Sequence, residues 1–325
     1  MIRSWIFDLV NISSDDDPIN FDVQNCSREY AWHSDLWARA EQLGFHGIFF
    51  SEHHFSGARA IPAPGLFAAF VAARTQRLRI GVLGWVLPLW QPWRFLEEVA
   101  VLDHLTQGRL EVGVARGSNP AEMAAVGIGE SDVVPMFLES LAILERAWQR
   151  PGISHRGDYW TYERLQIVPK PLQQPPPIWA TARTVNAARE AGKRGHKICT
   201  GFLPRQQVVE IFDAYRESAE RSGKSVSPND MAVRRCIFVA ETHDLAIRHA
   251  RAAQAQLPSI LDEDIVAGTP EEVADLICSE MRETGANNIV GFFTGNRIDK
   301  QSTSTSYDLY GTRVIPILRG GGGCV

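Results

Sequence analysis

Cationic excess is missing from this chain: 33 Lys and Arg stand against 38 Asp and Glu over 325 residues, a formal net charge of -5. Proteins that hold nucleic acid or acidic membrane surfaces need the opposite balance, so neither partner is expected. Long apolar runs are missing as well. No stretch approaches the roughly 18 uninterrupted apolar residues of a membrane span. The apolar run at 5–10 has no basic segment ahead of it and no small-residue cleavage site behind it, only Asp15-Asp16-Asp17, so secretion is not expected. Cysteine is sparse: Cys26, Cys199, Cys236, Cys278 and Cys324 form no CxxC motif, and a chain this long buries roughly three quarters of its unfolded surface without staples. A soluble protein of the reducing cytoplasm is the expectation. The cysteines, with no histidine partner in sequence, read as buried apolar residues rather than nucleophiles.

What is present is a recurrence of short, almost continuously apolar segments, at 5–10, 47–50, 78–86, 110–115, 178–181, 197–200, 232–240 and 288–293. Strands buried on both faces of a helix-covered parallel sheet have this composition. Helical patterns lie between them. Residues 92–106 space Phe95, Leu96, Val99, Leu102 and Leu105 three and four apart, with Pro92 in the first turn and Gly108 at the stop. Thr269-Pro270-Glu271-Glu272 forms a capping box before the stripe Val273, Leu276, Ile277 and Met281, which Gly285 terminates. Length alone allows two domains or one decorated α/β barrel of about 250 residues. The unbroken strand–helix alternation favours a single α/β domain over 1–325, as a barrel or a doubly wound sheet. Residues 151–177, rich in Pro and Gly, read as an irregular insertion with a small hairpin at 159–168. Residues 302–306 read as a loop before a final helix at 307–318, and 319–325 as a flexible tail.

Three clusters carry potential chemistry. Glu52, His53 and His54 follow the second strand, at the face where barrel active sites form. A carboxylate beside an imidazole fixes its tautomer and prepares it for proton transfer. Catalysis, cofactor contact, metal ligation and satisfied structural histidines all remain open, with metal disfavoured because no second His/Asp/Glu cluster recurs at a later strand end. Adjacent residues point in different directions, so at most two of the three share a site. Arg116, beside Gly117 at a helix entrance, suits a phosphate, as do Thr181, Ala182, Arg183 and Thr184 after a later strand; an ordinary Arg-Gly turn explains the first equally well, and the second is a weak signal on its own. Phe55, Trp85, Trp90, Trp93, Trp179 and Phe202 gather where strands end and are read as pocket walls or plain core. Gly81 and Gly84 within one strand mark a bulge or a close backbone approach.

Taken in order, Ser51-Glu52-His53-His54-Phe55, residues 81–88, residues 102–117, Gly268-Thr269-Pro270-Glu271-Glu272-Val273 and residues 285–292 resemble the bacterial luciferase-like flavin monooxygenases. The resemblance spans nearly the whole chain. It implies a TIM (β/α)8 barrel with insertions that binds reduced FMN (FMNH2), supplied by a separate flavin reductase, and activates O2 as a flavin hydroperoxide to oxidise a small or medium organic substrate. A homodimer is implied too; no resident metal is expected, on the separate ground that no second His/Asp/Glu cluster recurs. His53 then corresponds to the family's functional histidine, flanked by Glu52 and His54. Leu83 and Gly84 fall at a non-proline cis peptide beneath the flavin, and Arg116 with Thr181, Ala182 and Thr184 falls at the phosphate, where Arg183 can take up the missing second arginine's role; from their places at strand ends, Phe55, Trp85, Trp90, Trp179 and Phe202 are read as the substrate pocket. Departures accompany the match. Ala115 replaces a reactive cysteine, Val133-Val134-Pro135 stands where a second phosphate arginine is expected, and the segment between residues 256 and 268 is too short for a long lid. Light emission is therefore not expected. Two other readings stay open: a deazaflavin-dependent hydride-transfer enzyme, and a noncatalytic flavin-binding partner subunit.

Overall fold

The computed structural model describes residues 1–12, 17–256, 260–293 and 299–320. In chain order the elements are β1 (Arg3–Asp8), α1 (Val23–Ala40), β2 (Gly47–Phe50), α2 (Pro64–Ala72), β3 (Arg79–Val86), α3 (Pro92–Leu105), β4 (Leu110–Ala115), α4 (Pro120–Ala125), α5 (Glu130–Gln149), β5 (Gly152–Arg156) and β6 (Thr161–Gln166). There follow β7 (Ile178–Ala182), α6 (Val185–Arg194), β8 (Lys197–Thr200), α7 (Arg205–Arg221), β9 (Met231–Val239), α8 (His243–Gln256), β10 (Ile265–Gly268), α9 (Pro270–Thr284), β11 (Asn288–Phe292), α10 (Lys300–Leu309) and, after a π-helical turn, α11 (Ile315–Gly320). Eight parallel strands close in the order β1-β2-β3-β4-β7-β8-β9-β11, with β11 returning to β1. This is the expected TIM barrel.

Side-chain alternation separates two apolar layers. Trp5, Phe7, Phe49, Leu83, Trp179, Cys199, Ala232, Cys236 and Phe292 fill the barrel, whereas Ile6, Ile48, Val82, Val112, Val233 and Ile237 meet the helices. The indole of Trp5 stacks on Phe49 with ring centres 4.7 Å apart, and Trp179 stands edge-on to Trp5 at 6.0 Å. Below them, at the amino ends of the strands, Glu111 bonds Arg79, accepts from Trp179 Nε1 at 2.6 Å and lies 3.5 Å from Lys197 Nζ. This plug makes the lower barrel solid, so any site must open at the other end.

Strands expected from composition lie within two residues of those observed, and three expectations need correction. Residues 302–306 are not a loop: they belong to α10, where Thr303 and Ser306 are buried and Ser306 Oγ accepts the Val239 amide at 2.8 Å. A hydroxyl-rich stretch resembles a loop in composition, but here the hydroxyls face the end of a strand. β10, absent from the expected set, pairs with the second half of β9, from Ile265 opposite Cys236 to Gly268 opposite Val239. The expected hairpin exists, but its strands run from 152 to 166 rather than 159–168. It is docked on α5 by Glu139, which accepts from the amides of Asp158, Tyr159 and Trp160 and pairs with His155 at 2.8 Å. Of the tail expected at 319–325, Arg319 and Gly320 close α11, and the rest lies outside the described residues. No helix among the described residues is long and apolar enough to cross a membrane.

Candidate active site

The carboxyl end of β2 delivers Ser51-Glu52-His53-His54 to the open face of the barrel, and two imidazole–carboxylate pairs arise there. His53 Nδ1 lies 3.1 Å from Glu122 Oε1. Glu122 stands on the first turn of α4 and is 4% exposed; Asn119 Nδ2 donates to the same oxygen at 3.2 Å. Burial alone raises the Glu122 carboxyl, but the hydrogen bond and charge of His53, with help from Asn119 and the His54 backbone, hold it below its ordinary 4.5. An ionised Glu122 accepts a hydrogen bond from Nδ1–H and leaves Nε2 as the unprotonated nitrogen of His53.

Glu52 turns the other way. Its carboxylate accepts the Val86 amide at 2.6 Å and Trp90 Nε1 at 2.9 Å, and pairs with His54 Nε2 at 3.1 Å. That hydrogen bond, ahead of the opposing effect of burial, raises the His54 imidazole above 6.5. Glu52 is therefore the peg that fastens the β2 loop to the end of β3. Of the three neighbours, Glu52 and His54 meet each other and His53 meets Glu122.

The residues expected to hold a phosphate come together because their strands are neighbours. Val114 of β4 lies opposite Ala180 of β7, which sets Arg116 beside the 181–184 segment. Arg116 and Arg183 are exposed and pair with no carboxylate among the described residues. Thr184 caps the ten-residue helix α6, accepting the Ala187 amide at 3.3 Å, so the amino end of that helix opens at the same place. Thr181 has the inward parity, and Ala182 is buried in the outer layer. On the other side of β4, the Leu83–Gly84 peptide is cis and lies within a bulge between Val82 and Trp85. A Cβ on Gly84 would stand 2.8 Å from the Val114 carbonyl carbon, and one on Gly113 would stand 2.0 Å from Val82 O. The two glycines thus let β3 and β4 touch. At Gly117, with φ +92°, the side-chain space is held by Met123 Cε rather than left for a ligand. Ser51 Oγ and Thr200 Oγ1, at the ends of β2 and β8, are buried without hydrogen-bond partners among the described residues. Free guanidinium groups, an open helix terminus and spare hydroxyls form a donor set that fits a phosphate-bearing planar cofactor.

The aromatic residues expected in one pocket divide. Phe55, 60% exposed with a left-handed φ of 57°, and Trp90 line a cavity of about 290 Å³ with His54, Pro88, Leu89, Gln91, Val126, Ile128 and Trp160. Phe202 stands across the mouth, its ring 6.2 Å from Phe292. Trp85 and Trp179 reach neither place. Past the bulge in β3, Trp85 points outward and packs edge-on against Phe95 of α3 at 5.4 Å, while Trp179 belongs to the plug at the amino end. Two residues escaped the sequence reading. Glu122 looks like an ordinary first-turn helix acid, and Trp160 reaches the cavity from the inserted hairpin, whose docking no local pattern announces.

Residues 19–259 match the family model described as luciferase-like monooxygenase. The chain is 31% identical over 301 residues to protein y4wF of Sinorhizobium fredii, covering 84% of this chain and 87% of that one. It is 28% identical over 228 residues to the oxygenase component of a flavin-dependent trigonelline monooxygenase from Acinetobacter baylyi, covering 69% and 63% of the two chains. Among solved structures, the monooxygenase RslO1 of Streptomyces bottropensis superimposes with a TM-score of 0.86 at 23% identity, over 97% of this chain and 99% of that one.

Proposed function

The chain belongs to the luciferase-like monooxygenase family, a class of oxidoreductases, and on that premise we propose that it takes FMNH2 from a separate flavin reductase and oxygenates a small or medium organic substrate. The observation that carries this reading is the run of four adjacent strand ends, β2, β3, β4 and β7, which presents His53 with Glu122, the Leu83–Gly84 backbone, Arg116 and residues 181–184 side by side. Bound there, reduced flavin supplies the two electrons that leave one oxygen atom of O2 in the product and the other in water.

The protein's own residues bind, shield and move protons. Arg116 and Arg183, with the amino end of α6, hold the phosphate. The Leu83–Gly84 backbone, without a Cβ at Gly84, supports the ring. His53, its Nδ1–H donated in a hydrogen bond to Glu122, accepts or returns a proton at Nε2 near the reacting atoms. Glu52 and His54 keep the cavity wall of Trp90 and Phe55 in place, so that apolar side chains exclude water from the oxygenation. Because α2 and α3 expose Leu66, Phe70, Trp93, Val101 and Leu105, the working species is read as a homodimer; light scattering in solution tests it.

The deciding experiment supplies the purified chain with a flavin reductase, FMN and isotopically labelled O2 over a panel of aldehydes, ketones and aromatic compounds. One labelled oxygen atom per product is expected by mass spectrometry. A protein that binds reduced deazaflavin F420 in preference to FMNH2, and turns over without O2, would overturn the reading in favour of hydride transfer. Absence of turnover by the chain alone, restored by a second flavin-binding chain, would make it a partner subunit.

A further inference from the structure

Arg234 and Arg235 are neighbours on β9 and face opposite sides of the barrel wall. Arg235 points outward and is buried. Its guanidinium bonds Glu280 of α9, donates to Leu203 O at 3.1 Å and lies 3.7 Å from Asp264 Oδ1. A buried cation is tolerated when it is paired and hydrogen-bonded in this way. Arg234 has the parity of Ala232, Cys236 and Phe238, which face the interior. Its guanidinium carbon lies 4.6 Å from the centre of the Phe7 ring and 4.5 Å from that of Phe202. Its Nε is sealed from solvent with no acceptor, and no carboxylate pairs with it among the described residues. Cys199 and Cys236 beside it are neutral thiols that burial pushes up to about 12; Arg183 adds a second positive charge, and Asp264, which lies against Arg235, opposes it from a distance without pairing with Arg234.

Arg234 is half-buried, and holding its sealed Nε without an acceptor is unfavourable; a protein with 38 acidic residues had the means to supply one. The position of Arg234 points to what takes its place. Around the closed barrel, β9 is four strands from β3 by either route, β3-β4-β7-β8-β9 or β3-β2-β1-β11-β9. Arg234 therefore springs from the wall opposite the Leu83–Gly84 bond, two strands round from the 181–184 segment at the end of β7, whose Arg183 shares its field. Phe202, in the loop after β8, ties it to the open end.

We propose that Arg234 receives a carboxylate of the organic substrate, whose apolar body lies among Phe7, Phe202 and Phe292. The substrate class is then an amphipathic acid, a refinement that rests on the monooxygenase reading of the same mouth. Rings beside the guanidinium restrain its plane and leave its in-plane N–H groups free, the geometry that meets both oxygens of a carboxylate. A lysine has the charge but not the fork.

Titration of flavin-free protein with benzoate and benzamide, and with cyclohexanecarboxylate and its amide, tests this without turnover. In at least one pair the acid is expected to bind tenfold or more tightly than the amide. Arg234→Met abolishes that preference, Arg234→Lys weakens acid binding about tenfold, and FMN affinity, read by fluorescence quenching, is unchanged in both. Should Arg234→Met fail to fold, the Lys variant alone decides. Equal binding of acid and amide in both pairs overturns the proposal. So does a loss of FMN affinity matching the loss of acid affinity, which would assign Arg234 to the cofactor. Acid binding through Arg234 with no oxygenated product counts against the monooxygenase reading alone; oxygenation of neutral compounds without acid selectivity counts against this proposal alone.

Discussion

His53 Nδ1 and Glu122 Oε1 stand 3.1 Å apart, although 69 residues separate them in sequence. The contact joins the end of β2 to the helix that follows β4 and selects one tautomer of the imidazole. Replacing His53 with Ala should lower coupled product formation by about 100-fold to 10,000-fold, the usual worth of a positioned acid–base group. Glu122→Gln, which removes the charge but keeps the shape, should fall between wild type and His53→Ala in kcat with little change in KM. Steady-state kinetics with peroxide release measured alongside product checks both; a Glu122→Gln enzyme altered only in KM would remove Glu122 from its positioning role.

Arg116 and Arg183 provide a second test. If they hold the flavin phosphate, Arg116→Met should weaken FMN by about tenfold to 100-fold, as loss of a hydrogen bond to a charged group does. Riboflavin, which lacks the phosphate, should bind the variant and the wild type alike. Arg183→Met should act in the same direction. Fluorescence titration of both ligands reads the difference, and equal losses for FMN and riboflavin would place Arg116 elsewhere.

The Glu52–His54 pair has a pH signature. Because His54 is raised above its ordinary value, the stability it contributes is fully present below about pH 6.5 and is lost as pH rises through the folded value. Glu52→Gln should return the His54 titration, followed by NMR, towards 6.5. Glu52→Ala should cost about 3 kcal/mol in urea denaturation, since it strands the buried Val86 amide and Trp90 indole donors.

Asp8 offers the opposite sign. Burial works to raise its carboxyl, but His33 at 2.8 Å, the Val10 amide and Trp37 Nε1 together hold it below 3.8. The stability it contributes is present above the unfolded value and disappears as pH falls through the folded one. Asp8→Ala should cost about 3 to 5 kcal/mol at pH 7, because it leaves buried partners uncompensated. Denaturant titrations at pH 7 and below pH 3.5 should show that penalty shrinking with acid.

Cys199 and Cys236 should resist alkylation in the folded protein at pH 8, since burial pushes each thiol up to about 12 and thiolate is the reactive form. Peptide mapping after iodoacetamide, with and without denaturant, should find both labelled only on unfolding.

Much of this was legible in the chain itself. The double-faced apolar runs and the capping signals at Thr269 and Gly285 dictate strand–helix alternation, because backbone stereochemistry and burial act locally at fixed periods. Strand order then made neighbours of the strand ends that carry Arg116 and Thr181, so the place proposed for a phosphate could be named from strand ends alone. Other features have no local signature. Trp85 and Trp179 sit near strand ends like Trp90, but a bulge turns one to the helices and height along the barrel places the other in the plug. Glu122 became the partner of His53 only when β2 and β4 were brought to the same face. Arg234 and Arg235 are consecutive and chemically identical in sequence. Closure of the barrel put Glu280 within reach of one and two phenylalanine rings beside the other, because the wall between them has two sides and only one was given a carboxylate.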